Sequence, residues 1–155
     1  ILAFDGYYEK KWFPYTMPIS DIYGLRQAFD NIKNDPYMLE RHAKIGNAVR
    51  EAVKEAGLEL YQETGFSNTV TVFNVPEGTT DTAILTAMKE KCNIMLAGSF
   101  GAFAGKVIRI GHMGENAYPE KVGSVMAGLD LVFKDLGIKL KCSLKKAYDR
   151  KMSEQ

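Results

Sequence analysis

Between Asn93 and Gly114 the chain reads NIMLAGSFGAFAGKVIRIGHMG. Its second half, KVIRIGHM, alternates with the period of a β-strand. That period places Val107, Arg109 and Gly111 on one face and Ile108, Ile110 and His112 on the other. A strand of this kind demands a sheet with one apolar face, and it carries an arginine between two isoleucines. A guanidinium drawn even partly out of water costs several kcal/mol unless an anion meets it. The nearest acid in the chain, Glu115, lies six residues on and beyond a turn. A ligand carboxylate or phosphate suits the planar fork of donors. The ordinary alternative is a solvated or internally paired strand arginine.

The rest of the chain bounds what that strand belongs to. At 155 residues it fits a single domain with a substantial core. The net charge of +1 is spread over scattered basic residues, which argues against a nucleic-acid footprint. No apolar run approaches the roughly 20 residues of a membrane span. The opening, ILAFDGYYEKKW, lacks the charged-then-apolar order of a secretory signal. Cys92 and Cys142 make neither a disulfide framework nor a metal-ligand spacing, so no metal site is expected and a reducing cytoplasm is the expected setting. The chain begins on Ile-Leu-Ala-Phe without an initiator methionine, as if cut from something longer.

Taken in order, ILAF reads as a short strand, followed by an aromatic, turn-prone segment with Tyr7, Tyr8, Trp12 and Phe13. A helix follows Pro18 with Ile19, Ile22, Tyr23, Phe29 and Ile32 at helical spacing, up to Lys33. After Asn34-Asp35-Pro36 a second helix runs to about Ala56, with Leu39, Ala43, Val49 and Val53 as its apolar side and Gly57 as its stop. The period then changes. LELY and Thr69–Val75 read as strands. Thr79, Thr80 and Asp81 offer caps for a helix carrying Ile84, Leu85 and Met88. After the strand–loop–strand unit, a long helix from Pro119 turns Val122, Val125, Met126, Leu129, Val132 and Phe133 inward and stops at Gly137. The tail from Lys139, with six Lys/Arg, reads as a solvated, frayed end. Closely spaced strands with helices on one side predict an α+β layer and a largely antiparallel sheet.

GSFGAFAGK does not fit a phosphate loop of the Walker type. Gly101 and Gly105 enclose three residues where four are needed, and Val107 follows the lysine where Ser or Thr should stand. The loop through Gly98, Ser99, Gly101 and Gly105 is open to two readings, a binding-site loop or a long hairpin connection. His42 and His112 read as satisfied structural histidines. No Ser/His/Asp or Cys/His arrangement is legible, and the lysines look like solvated helix faces.

The segments PYTMPISDIYGLRQAFDNI, RHAKIGNAVREAVKEAGLEL and IMLAGSFGAFAGKVIRIGHMG together resemble the class V pyridoxal-phosphate aminotransferases, most of all the alanine–glyoxylate and serine–pyruvate branch. The most specific pieces are T-x-P at Thr16 to Pro18, G-K-V-x-R-I-G at Gly105 to Gly111 and the H-M-G after it. The resemblance covers about Pro14 to Leu136. It implies the small C-terminal domain of a fold-type I enzyme. Residues 1–15 would be the remnant of a large domain and its connection, 16–35 an interdomain helix, and 36–155 the small domain.

In that family the arginine of R-I-G grips the α-carboxylate of the amino or oxo acid, which implies Arg109. The threonine of T-x-P reaches the cofactor phosphate of the neighbouring subunit, which implies Thr16, a homodimer and pyridoxal 5′-phosphate. A tyrosine three residues earlier often shares that contact. Here Phe13 stands there, with Tyr15 adjacent to the threonine. The Schiff-base lysine belongs to the large domain and has no match here, so no catalytic residue is assigned and the chain alone is expected to be inactive. The expected reaction of the full-length enzyme moves an amino group between a small amino acid and a 2-oxo acid such as glyoxylate or pyruvate. Two alternatives stand beside it. A cysteine desulfurase-like lyase needs a loop cysteine that Gly98 to Lys106 lacks. A non-catalytic α+β module would bind a small carboxylate.

Overall fold

The patterns of 3.6 and 2 residues resolve into helices and strands in the computed structural model of the protein, which describes residues 6–11 and 15–154. The ILAF segment, Trp12 and Phe13 lie outside the described residues. The chain divides into two compact units, residues 1–38 and 39–155.

The first unit holds a single short turn of helix, α1 (Tyr7–Lys10), inside the segment read as turn-prone, and the long helix α2 (Ile19–Lys33). No residue of α2 is buried, and its apolar residues, Tyr23 and Phe29 among them, stand exposed.

The second unit begins within α3 (Met38–Glu55), one residue into the helix, and there the buried stripe is His42, Ile45, Val49, Ala52 and Val53 rather than one beginning at Leu39, which is 77% exposed. Leu39 sits in the first turn, where the helix axis has not yet reached the core. Gly57 ends the helix as expected. It adopts φ +83°, and the amides of Gly57 and Leu58 return to the carbonyls of Lys54 and Val53, closing the last turn.

The sheet pairs β1 (Val70–Asn74) with β2 (Val107–Gly111) antiparallel, in a register that sets Val72 opposite Arg109 and Phe73 opposite Ile108. A single bridge extends it on each side, Leu60 to Phe73 and Ala97 to Arg109. LELY and the start of the strand–loop–strand unit therefore contribute one bridge each, not full strands. Alternation follows the prediction: Thr71, Phe73, Ile108, Ile110 and His112 are buried on one face, while Val70, Val72, Arg109 and Gly111 stand less buried on the other. Val107 departs from this pattern and is 4% exposed.

The helices cover the apolar face. Helix α4 (Asp81–Cys92) starts at Thr80, whose hydroxyl accepts the Ala83 amide at 3.2 Å. Helix α5 (Pro119–Asp135) buries Val122, Met126, Leu129, Val132 and Phe133, and the Phe133 ring meets Phe73 edge-on with centroids 6.4 Å apart.

The tail is not frayed. Residues Leu144–Glu154 form α6, which buries Leu144, Ala147 and Tyr148 against α5. Its N-terminus is capped by Asp130 of α5. One carboxylate accepts the Ser143 hydroxyl at 2.6 Å and the Leu144 and Lys145 amides at 2.7 and 3.1 Å. The carboxylate satisfies amides that have no partner within the first turn and lies at the positive end of the helix dipole.

Candidate functional site

Arg109 occupies the centre of the sheet. Its amide donates to the Ala97 carbonyl at 2.7 Å and its carbonyl accepts the Ala97 amide at 3.4 Å, with Val72 opposite on the other side. The backbone is thus fixed from both flanks, and the side chain leaves the open face of the sheet half-buried. Nε donates to the Gly98 carbonyl at 2.6 Å. Among the described residues no carboxylate lies within ion-pair distance of the guanidinium, and neither Nη1 nor Nη2 meets an acceptor. The internally paired reading of Arg109 therefore has no acid to support it.

The arginine opens into a cleft of about 710 Å³ between the open sheet face and α5. Its walls include Val70, Leu96, Val122 and Val125, and it holds a second cation, Lys121, and no acidic lining residue. The Lys121 ammonium donates to the Glu115 carbonyl and stands 5.6 Å from the Tyr118 ring centroid. A cleft with mostly apolar walls, the neutral polar Asn116 and Ser124, and cations as its only charged lining is suited to a small anionic molecule.

The glycine loop runs beside it. Gly98 supplies the carbonyl under Arg109, and Ser99 is half-buried. Gly101 and Gly105 are exposed and adopt φ +61° and +75°, conformations that other residues avoid. The middle of the loop is held by Phe103, whose ring meets Tyr61 edge-on at 5.3 Å.

Thr16 and Tyr15 precede α2 in the other unit. Both are exposed.

The two histidines are structural, as their spacing implied. His112 is fully buried. Its Nδ1 donates to the Asn68 carbonyl at 3.1 Å, which leaves Nε2 to accept the Thr71 hydroxyl at 2.9 Å. Burial pushes its pKa down to about 4, and the nearby Arg50 and His42 act in the same direction. His42 Nε2 accepts the Gly114 amide at 3.2 Å. Arg50, also buried, donates to the Ser67 carbonyl at 3.0 Å and lies over the Phe66 ring at 5.1 Å, with burial lowering its pKa. Among the described residues no group of three or more His, Cys, Asp or Glu is arranged to hold a metal ion, and no helix is long and apolar enough to cross a membrane.

Sequence reasoning found Arg109 by its apolar neighbours and passed over two features. Lys121 looked like any lysine of a solvated helix face. The Gly98 carbonyl leaves no signal at all, because every residue carries one.

No protein-family model matches the chain. It is 36% identical over 145 residues to an uncharacterized aminotransferase of Methanocaldococcus jannaschii, covering 91% of this chain and 37% of that protein. It is also 36% identical over 130 residues to the serine–glyoxylate aminotransferase of Arabidopsis thaliana, covering 81% and 32%. Among solved structures, pyridoxamine–pyruvate aminotransferase from Mesorhizobium loti superposes with a TM-score of 0.86 at 27% identity, over 99% of this chain and 41% of that one. The chain spans about a third of the length of the curated relatives it matches.

Proposed function

Because the chain belongs to the class V pyridoxal-phosphate aminotransferase family, we propose that it is the portion of such an enzyme that grips the substrate carboxylate, with Arg109 as the clamp. The enzyme would exchange an amino group between a small amino acid and a 2-oxo acid of the glyoxylate or pyruvate kind. The observation carrying this reading is the guanidinium without an acid: a half-buried cation, braced through Nε, facing a cleft with no carboxylate in its lining. A bidentate contact from its free edge satisfies both charges at once.

Pyridoxal 5′-phosphate, when bound, supplies the electron sink for the amino transfer. In this reading Thr16 holds the phosphate of the cofactor in the neighbouring subunit of a homodimer, with Tyr15 beside it. The lysine that anchors the cofactor is assigned to a part of the enzyme other than this chain, which on its own would not transaminate. The work of this chain is orientation. Fixing the carboxylate sets the direction of the substrate's Cα–H bond, and positioning of that kind lowers a barrier by several kcal/mol. The loop from Gly98 to Gly105, with its two left-handed glycines, would cover the substrate and exclude water.

The test is Arg109→Ala in the full-length enzyme. Losing two charge-assisted hydrogen bonds, roughly 3 kcal/mol, should raise KM for the amino acid about a hundredfold, while the visible absorbance of the bound cofactor stays. An unchanged KM removes Arg109 from this role.

A further inference from the structure

The carbonyl of Gly98 meets the one guanidinium nitrogen that an end-on carboxylate does not need. An arginine offers a carboxylate two bidentate edges: Nε with one Nη, or the two Nη groups together. At Arg109 the first edge is spent, since Nε donates to Gly98 at 2.6 Å. The second edge is free among the described residues. We infer that Gly98 is a positioning residue whose main-chain carbonyl aims the Arg109 guanidinium so that it takes the substrate carboxylate end-on through Nη1 and Nη2. The inference rests on the carboxylate role proposed above for Arg109.

The surroundings explain why that carbonyl is well placed. Ala97, the preceding residue, exchanges both main-chain hydrogen bonds with Arg109, so the acceptor and the arginine backbone belong to one bonded unit. On its other side Gly98 is pressed against the first turns of α4. A β-carbon there would stand 3.2 Å from Asp81 Oδ2 and 3.5 Å from Leu85 Cδ1. Asp81 is itself tied down, accepting the Thr82 amide at 2.6 Å. Glycine at this point is thus a matter of room and not of backbone conformation, because its φ lies outside the left-handed region. The carbonyl is held between a helix start and a sheet, and the arginine hangs from it. A side chain with four rotatable bonds then loses less freedom when the substrate arrives.

The test weakens the acceptor without disturbing the packing. Placing the 2-hydroxy analogue of serine at position 99 of the full-length enzyme turns the 98–99 amide into an ester, whose carbonyl is a poorer acceptor. The Ser99 amide that is lost makes no main-chain hydrogen bond among the described residues. The expected result is a KM for the amino donor raised about fivefold, with kcat falling by less. In parallel, protein labelled with ¹⁵N-arginine, with the Arg109 signal assigned through Arg109→Lys, reports the Nε–H directly. It should exchange slowly with solvent in the parent enzyme and quickly in the ester. It should also move less than the Nη signals when the unreactive 2-aminoisobutyrate saturates the site. A parent Nε–H that exchanges like that of free arginine, an Nε–H that moves most on saturation, or an ester with unchanged KM overturns the role of Gly98. If Arg109→Lys itself leaves KM unchanged, it is the carboxylate reading that falls.

Discussion

Acidification should strip this fold of stability through one buried imidazole. His112 is fully buried, with both ring nitrogens engaged by Asn68 and Thr71 and with a pKa near 4 in place of the ordinary 6.5. The sign follows from proton binding. Above about pH 7 the ring is neutral in both folded and unfolded chains and contributes no pH dependence. As the pH falls from about 6.5 toward 4, the unfolded chain takes up a proton that the native core refuses, so stability is lost across that window. Between about pH 7 and pH 4.5 the loss amounts to roughly 2.5 kcal/mol. Carboxylates titrate over part of the same range, so the measurement is a difference. Urea unfolding of the parent and of His112→Gln, followed by far-ultraviolet circular dichroism at both pH values, isolates the histidine. The parent should lose roughly 2.5 kcal/mol more than the variant on acidification, whatever the variant's stability at neutral pH. Equal losses in the two proteins would refute the argument, as would an imidazole titrating near 6.5 by NMR in the folded state.

Two further outcomes concern the frame around the site. Asp130→Ala removes the acceptor of three donors at the start of α6 and should cost about 1–3 kcal/mol, with hydrogen exchange accelerated first at the amides of residues 144–148. Gly57→Ala forces a β-carbon onto φ +83° and to 3.0 Å from the Lys141 side chain. It should lower stability by about 1 kcal/mol or more, read as a shift in the urea midpoint.

The parts legible in the sequence were those whose signal is local. Periodicity and caps marked α2, α3, α4 and α5 to within a few residues, and the alternation in KVIRIGHM assigned both faces of β2. Helix α6 is not legible, although Leu144, Ala147 and Tyr148 carry a short helical spacing, because its four cations mask it and because its cap comes from Asp130 on another helix. The strands read at LELY and before the glycine loop are single bridges, because alternation marks a residue's side and not whether its backbone stays alongside the neighbouring strand. Leu39 satisfied the period of α3 and still faces outward, because a period says which residues share a side and not where the core begins. At the candidate site, an arginine flanked by isoleucines announced a desolvated charge. Its brace on Gly98 and its companionship with Lys121 came only with tertiary structure.

The double main-chain pairing of Arg109 with Ala97, in mid-sheet, makes this cation a fixed datum rather than an adjustable arm. Sliding it along its strand would break both bonds to Ala97 and the register with β1 together. In the clamp role proposed above, a substrate would bring its acid group to that address, and tolerance for different substrates would be built into walls that move independently of it.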